Sequence, residues 1–241
     1  MAGRLYGIGL GPGDPELLTV KAVRLIGACP VVAFFAKAGR RGNARAIADR
    51  WILQTSEELP LYYPVTTEIP VDHPDYNVSL AAFYETAAAT IARHLENGRD
   101  VALLAEGDPL FYGSFMHLFV RLRETFATEI VPGVTGMAGC SAAAAAPMTW
   151  GDDILTVLPG TLPFADLVAR LRDSDAAVVM KLGRNFEKVK AAFVEAGLLS
   201  RAIYVERGTF ANEQVVPLAE KLDVSAPYFS LVLMPGQGRR P

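Results

Sequence analysis

Short apolar runs of strand length alternate with longer segments of helical periodicity through the first half of the chain. The predicted strands cover residues 4–10 and 31–36, a run ending at Ala105, and residues 128–131. The first predicted helix begins at Pro15, after Asp14 as its N-cap. Three further helices are predicted at residues 44–53, 78–95 and 113–126. Residues 58–75 are rich in proline and polar side chains and predict a long surface loop. Alternating strands and helices predict a parallel sheet.

The pattern changes after a small-residue helix at 135–146, which Pro147 ends. Additional strands are predicted late in the chain, at 154–158, 176–181, 202–206, 214–218 and 228–234. Only two helices separate them, at 164–172 and 186–196. This order predicts a mixed sheet. We therefore expect two α/β domains, residues 1–127 and 128–241, without a flexible linker.

Composition narrows the class of protein. The chain has 241 residues, of which 51% are hydrophobic and 20% charged, values typical of a globular protein. The net charge of −3 argues against a nucleic-acid partner. Cys29 and Cys140 lie in apolar, small-residue settings and are expected to be buried free thiols, as in a reducing cytoplasm. No signal peptide is expected at the N-terminus, and residues 142–146 are too short to span a bilayer.

The glycine-rich segment Gly7 to Gly13 runs from the first strand into the turn after it, but it does not fit a dinucleotide-binding loop. In the G-x-G-x-x-G spacing, the third glycine falls on Pro12 or Asp14. An aspartate there would repel a pyrophosphate. The second strand also ends without an acidic residue for a ribose. A tight turn with a capping aspartate is the alternative interpretation.

The first strand is followed by the turn Gly13-Asp14-Pro15, and a second Gly-Asp-Pro turn, Gly107-Asp108-Pro109, follows the strand that ends at Ala105. Ligands bind beyond the carboxyl ends of parallel strands. Two Gly-Asp-Pro turns at such ends are therefore expected to line one crevice.

These residues resemble the tetrapyrrole methylases. The segment Gly7 to Thr19 is similar to that family's opening motif, and Gly107 to Pro109 and Pro132 to Thr135 to its later motifs. Within the family, residues 58–64, 106–118, 157–159 and 179–184 resemble the precorrin-2 C-20 methyltransferases of cobalamin biosynthesis. The resemblance covers essentially the whole chain. It implies C-methylation of precorrin-2 at C-20, giving precorrin-3A.

The resemblance also implies S-adenosylmethionine (SAM) as cofactor, with S-adenosyl-L-homocysteine as product. In this family, SAM lies in the cleft between two α/β domains and is held largely by backbone groups. Carried over by motif, the cofactor-binding residues would be Leu10, Gly107, Asp108, Leu110, Thr135, Gly136, Leu182, Ala211 and Ser230. Asp108 has a second possible role as the cap of the following helix.

The implied chemistry is transfer of a methyl group from a sulfonium to an electron-rich meso carbon. Alignment of the reactants should supply most of the rate. A base for the C-20 proton has three candidates, which are Glu106, Tyr112 and His117. His117 is alternatively a packed core histidine, and Tyr112 either stacks on the macrocycle or only packs.

A tetrapyrrole with eight carboxylates needs local positive charge on an acidic enzyme. Arginines and a lysine cluster after the second strand, and Arg40 and Arg41 are the substrate-binding candidates there. Lys181 and Arg184 are candidates in the other domain. The alternative is a solvated surface.

Three rival functions remain. They are methylation of another tetrapyrrole or of the cobalt-containing equivalent, a nucleotide-binding oxidoreductase, and a non-catalytic ligand-binding or scaffold module. No metal ligands and no membrane partner are predicted. By analogy with the family, a homodimer is expected.

Overall fold

A computed structural model describes residues 1–64 and 74–238 of the chain. These residues divide into two compact units, Met1–Thr135 and Gly136–Pro241. Each unit has its own sheet and its own apolar core.

The first unit contains five strands and four α-helices among the residues described. The strands are β1 (Leu5–Gly9), β2 (Val31–Lys37), β3 (Glu57–Tyr63), β4 (Val101–Ala105) and β5 (Thr128–Val131). The helices are α1 (Val20–Ala28), α2 (Asn43–Ile47), α3 (Pro74–Glu96) and α4 (Phe115–Leu122). The strands form a parallel sheet in the order β3-β2-β4-β1-β5. The predicted parallel sheet is therefore confirmed.

Helices cover both faces of this sheet, which explains its nearly continuous apolar strands. Helices α3 and α4 pack on one face through a core that includes Ile91, Leu103 and Phe115. Helix α2 contacts β2 and β4, and α1 contacts β1. All five residues of β4 are buried.

Strand β3 replaces part of the surface loop predicted for residues 58–75. It pairs with β2 over its whole length, and Pro60 lies opposite Phe34. The loop prediction is wrong for residues 58–63, because an edge strand tolerates both a proline and polar side chains. Residues 65–73 of the predicted loop lie outside the described residues.

Helix α1 begins later than predicted. The Asp14 carboxylate accepts a hydrogen bond from Glu16 N at 2.8 Å, but it caps only a short 3-10 turn, Pro15–Leu17. The Thr19 hydroxyl accepts from Ala22 N at 3.1 Å and caps the α-helix itself. The predicted helix from residue 44 to 53 likewise divides into α2 and a 3-10 turn, Asp49–Trp51.

The second unit is built on a mixed sheet, as predicted. Its strands are β6 (Leu155–Pro159), β7 (Ala176–Met180), β8 (Ile203–Glu206), β9 (Gln214–Pro217) and β10 (Ser230–Met234). Its helices are α5 (Gly136–Ala143), α6 (Phe164–Arg172) and α7 (Phe186–Glu195). Strands β6 and β7 are parallel, and β10 runs antiparallel to β7 and β8 in the order β6-β7-β10-β8-β9.

The division between the units falls later than the predicted boundary near residue 127. Strand β5 pairs with β1 in the first sheet, so it joins the first unit. Among the described residues, the structure contains no helix that is both long and apolar enough to cross a membrane.

Candidate active site

The loops that follow β1 and β4 are joined at the carboxyl edge of the first sheet. Leu10 N donates to Ala105 O at 3.0 Å, which extends the parallel ladder by one residue. Gly11 and Gly107 then exchange two backbone hydrogen bonds, of 3.2 and 2.8 Å. Both glycines have left-handed φ angles, 76° and 64°. The two predicted Gly-Asp-Pro turns therefore lie side by side, where a parallel sheet offers its ligand crevice.

The loop after β5 packs tightly against both turns. A Cβ placed on Gly133 would stand 2.1 Å from the carbonyl oxygen of Gly107 and 2.9 Å from Cα of Gly9. A Cβ on Gly9 would stand 2.5 Å from Gly133 N. Backbone therefore meets backbone at this point, and no side chain larger than hydrogen fits.

Asp108 connects two of these loops. Its carboxylate accepts from Leu110 N at 2.9 Å and from Gly133 N at 3.1 Å. The first bond closes the turn, and the second attaches the turn to the loop after β5. Each carboxylate oxygen thus accepts a backbone hydrogen bond. Asp108 therefore links the two loops, in addition to being a candidate cofactor-binding residue.

The residues after this turn carry the aromatic candidates. Tyr112 is exposed and has a left-handed φ of 57°, an uncommon conformation for a bulky residue. Its ring meets that of Phe111 edge-on, with centroids 4.9 Å apart. Backbone strain of this kind concentrates at functional sites.

His117 lies on the surface of α4 rather than in the core. Its ring stacks on Tyr84 with centroids 4.3 Å apart. Desolvation, with a further contribution from the Arg121 charge, lowers the pKa of His117, so the ring is neutral at neutral pH. The hydroxyls of Tyr84 and Tyr63 lie 3.2 and 2.5 Å from Ser114 Oγ, which connects this stack to the start of α4.

Glu106 lies on the other face of the sheet from His117. Ala105 packs in the core beneath α3 and α4, so the next side chain along the strand points to the opposite face. Desolvation raises the pKa of the Glu106 carboxyl, while backbone hydrogen bonds from Glu106 and Ala44 lower it. The structure does not bring Glu106 and His117 together as an acid–base pair.

In the second unit, two of the loops that carry predicted site residues contain residues with left-handed φ angles. Lys181 follows β7 with φ 57°, and Arg207 and Thr209 follow β8 with φ 49° and 75°. Leu182 is buried in the core between the sheet, α6 and α7, so only its backbone is available to a ligand. Ala211 is exposed in the loop after β8, and Ser230 is buried at the start of β10.

The remaining cofactor candidates occupy three different environments. Leu10 is fully buried, while Leu110 is exposed. Thr135 is the residue before α5, and Gly136 begins that helix with open space around the position of a Cβ. As with Leu182, any contact from Leu10 must come from its backbone.

The basic cluster after β2 is largely neutralised by carboxylates. Arg45 is buried and donates to both oxygens of Glu58 at 2.6 Å and to Asp49 at 2.7 Å. Arg41 also pairs with Asp49. Arg40, Lys181 and Arg184 are exposed. The cluster after β2 therefore divides into a structural ion-pair network around Arg45 and the exposed Arg40.

Two groups of polar residues could not be identified from the sequence: Arg45 with Glu58 and Asp49, and, in the second unit, Glu206 with Tyr204, Arg207 and Lys221. Neither has a motif, and in each case the partners are brought together only by the fold. A charged residue that closes an otherwise apolar strand, as Glu206 does, is the one signal available in the sequence.

The fold and the loops define a class: an α/β protein in which three loops at the carboxyl edge of a parallel sheet meet backbone to backbone. Comparisons identify the family. Residues 4–222 match the Tetrapyrrole (Corrin/Porphyrin) Methylases. The chain belongs to this family.

Relatives of the chain are named by function. A precorrin-2 C(20)-methyltransferase of Sinorhizobium sp is 55% identical over 99% of this chain and 98% of its own length. A cobalt-precorrin-2 C(20)-methyltransferase of Salmonella typhimurium is 30% identical over 97% of both chains. The structure of uroporphyrin-III C-methyl transferase from Thermus thermophilus, complexed with S-adenyl homocysteine, superposes with a TM-score of 0.66 at 25% identity. It covers 97% of this chain and 92% of the other.

Proposed function

We propose that this protein is a SAM-dependent methyltransferase that methylates precorrin-2 at C-20 and gives precorrin-3A in cobalamin biosynthesis. The observation that carries the proposal is 55% identity, over nearly the full length of both chains, to a precorrin-2 C(20)-methyltransferase. The cobalt-precorrin-2 enzyme of Salmonella typhimurium is 30% identical, which favours the metal-free substrate.

The chemistry of the loops fits SAM. A folded SAM presents a carboxylate, an ammonium and ribose hydroxyls, which backbone amide and carbonyl groups can bind. In the first unit the amides of Leu10, Gly107 and Leu110 already donate within the protein, so the proposed contacts there are carbonyl oxygens, and Asp108 holds the turn at Gly107 against Gly133. Thr135 and Gly136 add the start of α5, and Leu182, Ala211 and Ser230 complete the proposed set from the second unit.

SAM, when bound, supplies a methyl group on a sulfonium sulfur to the meso carbon. The protein's own task is to hold the substrate carbon in line and to exclude water, so orientation provides most of the acceleration. The lowered pKa of His117 leaves its ring neutral and able to take the C-20 proton, whereas the raised pKa of Glu106 favours the protonated carboxyl, which would have to lose its own proton before it could act as a base. Because the two lie on opposite faces of the first sheet, they are alternative bases rather than a pair.

The exposed cations are the proposed contacts for the substrate's carboxylates. Arg40, Lys181 and Arg184 are exposed, and Arg41 would have to exchange its pairing with Asp49 for one with substrate. Arginine binds carboxylates through two parallel hydrogen bonds. Of the two arginines after β2, Arg40 is thus the stronger candidate.

Two further properties belong to the proposal. Buried Cys29 and Cys140 have pKa values raised by desolvation, Cys140 to about 11, and remain protonated thiols, which suits the reducing cytoplasm.

A homodimer is proposed because α3 and α4 expose Val78 and Val120. Light scattering on the purified protein tests it, and a monomer mass would contradict it.

The function is tested by transfer of a labelled methyl from SAM, with metal-free precorrin-2 and the cobalt-loaded isobacteriochlorin offered in parallel. Methylation of the metal-free substrate at C-20 is expected. Activity on the cobalt form alone would move the assignment to that substrate. Equilibrium dialysis against SAM and against NAD separates a methyltransferase from an oxidoreductase, and binding of NAD alone would overturn the proposal.

A further inference from the structure

Glu206 is a buried carboxylate to which three donors converge. It ends β8 and is only 6% exposed. One oxygen accepts the Tyr204 hydroxyl at 2.8 Å and lies 3.6 Å from Lys221 Nζ. The other oxygen accepts from Arg207 Nη1 at 2.7 Å. A carboxylate is seldom buried without such compensation, and these three donors supply it.

The donors come from different segments of the second unit. Tyr204 belongs to β8, Arg207 opens the loop after β8, and Lys221 lies in the segment that leads to β10. Lys221 also pairs with Asp223 at 2.6 Å and stands over the Tyr204 ring, 4.7 Å from its centroid. Glu206 therefore connects β8 to two loops, the one that follows β8 and the one between β9 and β10.

The first of these loops is held in an unfavourable conformation. Arg207 and Thr209 both have left-handed φ angles, which cost free energy in residues with a Cβ. Arg207 N donates to Phe229 O at 2.7 Å, and Thr209 N donates to Glu213 Oε2 at 2.8 Å. Between them, Gly208 lies against Cys140, whose Sγ would be 2.7 Å from a Cβ at that position. The Arg207 side chain adds its ion pair with Glu206. This pair is a charged tether that holds Arg207, the first of the two residues with a strained backbone.

The second loop ends directly opposite Glu206. Ser230 is its partner in the β8–β10 ladder, and Ser230 Oγ donates to Pro227 O at 2.6 Å. Ser230 and Ala211, four residues beyond Arg207, are two of the proposed SAM contacts. Both proposed contacts thus lie on segments that Glu206 ties together.

We propose that Glu206 is a positioning residue for cofactor binding: through Arg207, it fixes the strained loop after β8 and the start of β10 in the arrangement that SAM requires. The inference rests on the proposed function, since it concerns that same site. Glu206 is not assigned a contact with SAM or with substrate. Its carboxylate is already occupied by protein donors.

The test measures affinity for S-adenosyl-L-homocysteine by calorimetry on the full-length chain. Glu206→Gln keeps the shape of the side chain but removes the charge that Arg207 needs. We expect the dissociation constant to rise about tenfold, the scale of one charge-assisted hydrogen bond. In the methyl-transfer assay, KM for SAM should rise in parallel, while kcat at saturating SAM stays within about twofold.

Glu58→Gln is the matched control. It removes the charge from another carboxylate that pairs with an arginine, but in the first unit and in an ion-pair network that includes none of the proposed SAM contacts. Both variants should lower the melting temperature. Only Glu206→Gln should weaken ligand binding, so a loss of affinity in both would mark a general stability effect and overturn the inference.

A second variant, Arg207→Gln, removes the other end of the tether and keeps the test valid if Glu206→Gln folds poorly. If Glu206 acts through Arg207, each single variant and the double variant should lose affinity by the same factor. Additive losses, or a dissociation constant within twofold of wild type, would overturn the proposal. A wild-type chain that binds no S-adenosyl-L-homocysteine would overturn the proposed function as well.

Discussion

Single glycines determine how closely the loops of the first unit approach one another. Gly7 and Gly9 both belong to β1, within the strand predicted for residues 4–10. Gly7 faces Phe115, whose ring would stand 2.2 Å from a Cβ there, while Gly9 faces Gly133. The sequence indicated that glycine was needed, but it did not distinguish packing against a helix from contact between loops.

Substitution of Gly133 tests the contact between loops. A methyl group there would press on the Gly107 carbonyl, which has no side chain to move aside. We expect Gly133→Ala to cost about 1–3 kcal/mol of stability and to weaken binding of S-adenosyl-L-homocysteine. Gly27→Ala in α1 is the control, because nothing lies within 4 Å of its Cβ position and alanine favours a helix. Denaturant unfolding of both variants checks this, and equal stabilities would contradict it.

The catalytic candidates are tested one at a time. Because Glu106 and His117 lie on opposite faces of the first sheet and Tyr112 is exposed in the loop between β4 and α4, we expect no single residue to be indispensable. Glu106→Gln, Tyr112→Phe and His117→Gln should each lower kcat by less than about 1000-fold, within the range of one acid–base contribution. A larger loss in any variant that still binds SAM would identify an essential base and refute this expectation.

At the scale of elements, the strands and helices with strong periodicity were predictable and the edge of the sheet was not. Helix α6 has the predicted bounds, and β2 and β4 were indicated by their buried apolar runs. Strand β3 was missed because its sequence, with Pro60 and two leading glutamates, follows no alternation. What makes it a strand is pairing with β2 and the Glu58–Arg45 ion pair, and both depend on residues distant in sequence.

The Arg45–Glu58 pair should stabilise the packing of α2 against β3. Arg45 is buried while Glu58 is partly exposed, so we expect Arg45→Ala to cost about 2 kcal/mol, less than a fully buried pair. Arg24→Ala, at an exposed position of α1, should change stability by less than about 0.5 kcal/mol. Chemical denaturation at pH 7 compares the two, and similar effects would contradict the role given to Arg45.

The same pair predicts a pH dependence. The hydrogen bond from Arg45 lowers the pKa of Glu58 from its ordinary 4.5. A lowered folded-state pKa gives stability that is present above 4.5 and lost as the pH falls through the lowered value. The stability difference between wild type and Arg45→Ala should therefore be constant from pH 7 to 5 and shrink below about 4.5. A difference that stays constant down to pH 3 would contradict this assignment.

At the scale of the whole molecule, two cores of different architecture serve one proposed ligand. The parallel sheet supplies glycine loops, and the mixed sheet supplies strained loops and a buried carboxylate cluster. The first set could be predicted from motifs, because glycine spacing is visible in a sequence. The second could not, because Glu206, Arg207 and Lys221 acquire their relationship only when β8, β9 and β10 assemble.

The chain carries one tryptophan in each unit, Trp51 and Trp150, which allows the two units to be followed separately. Since SAM contacts are proposed in both, S-adenosyl-L-homocysteine should stabilise both. At about 100 times its dissociation constant, it adds about 2.7 kcal/mol, or roughly 5–10 °C in a chain of this size. Thermal unfolding of Trp51→Phe and Trp150→Phe, followed by the fluorescence of the remaining tryptophan, should show this shift in each variant. A shift confined to one tryptophan would remove the proposed contacts from the other unit, whereas NAD at the same concentration, as the control ligand, should shift neither.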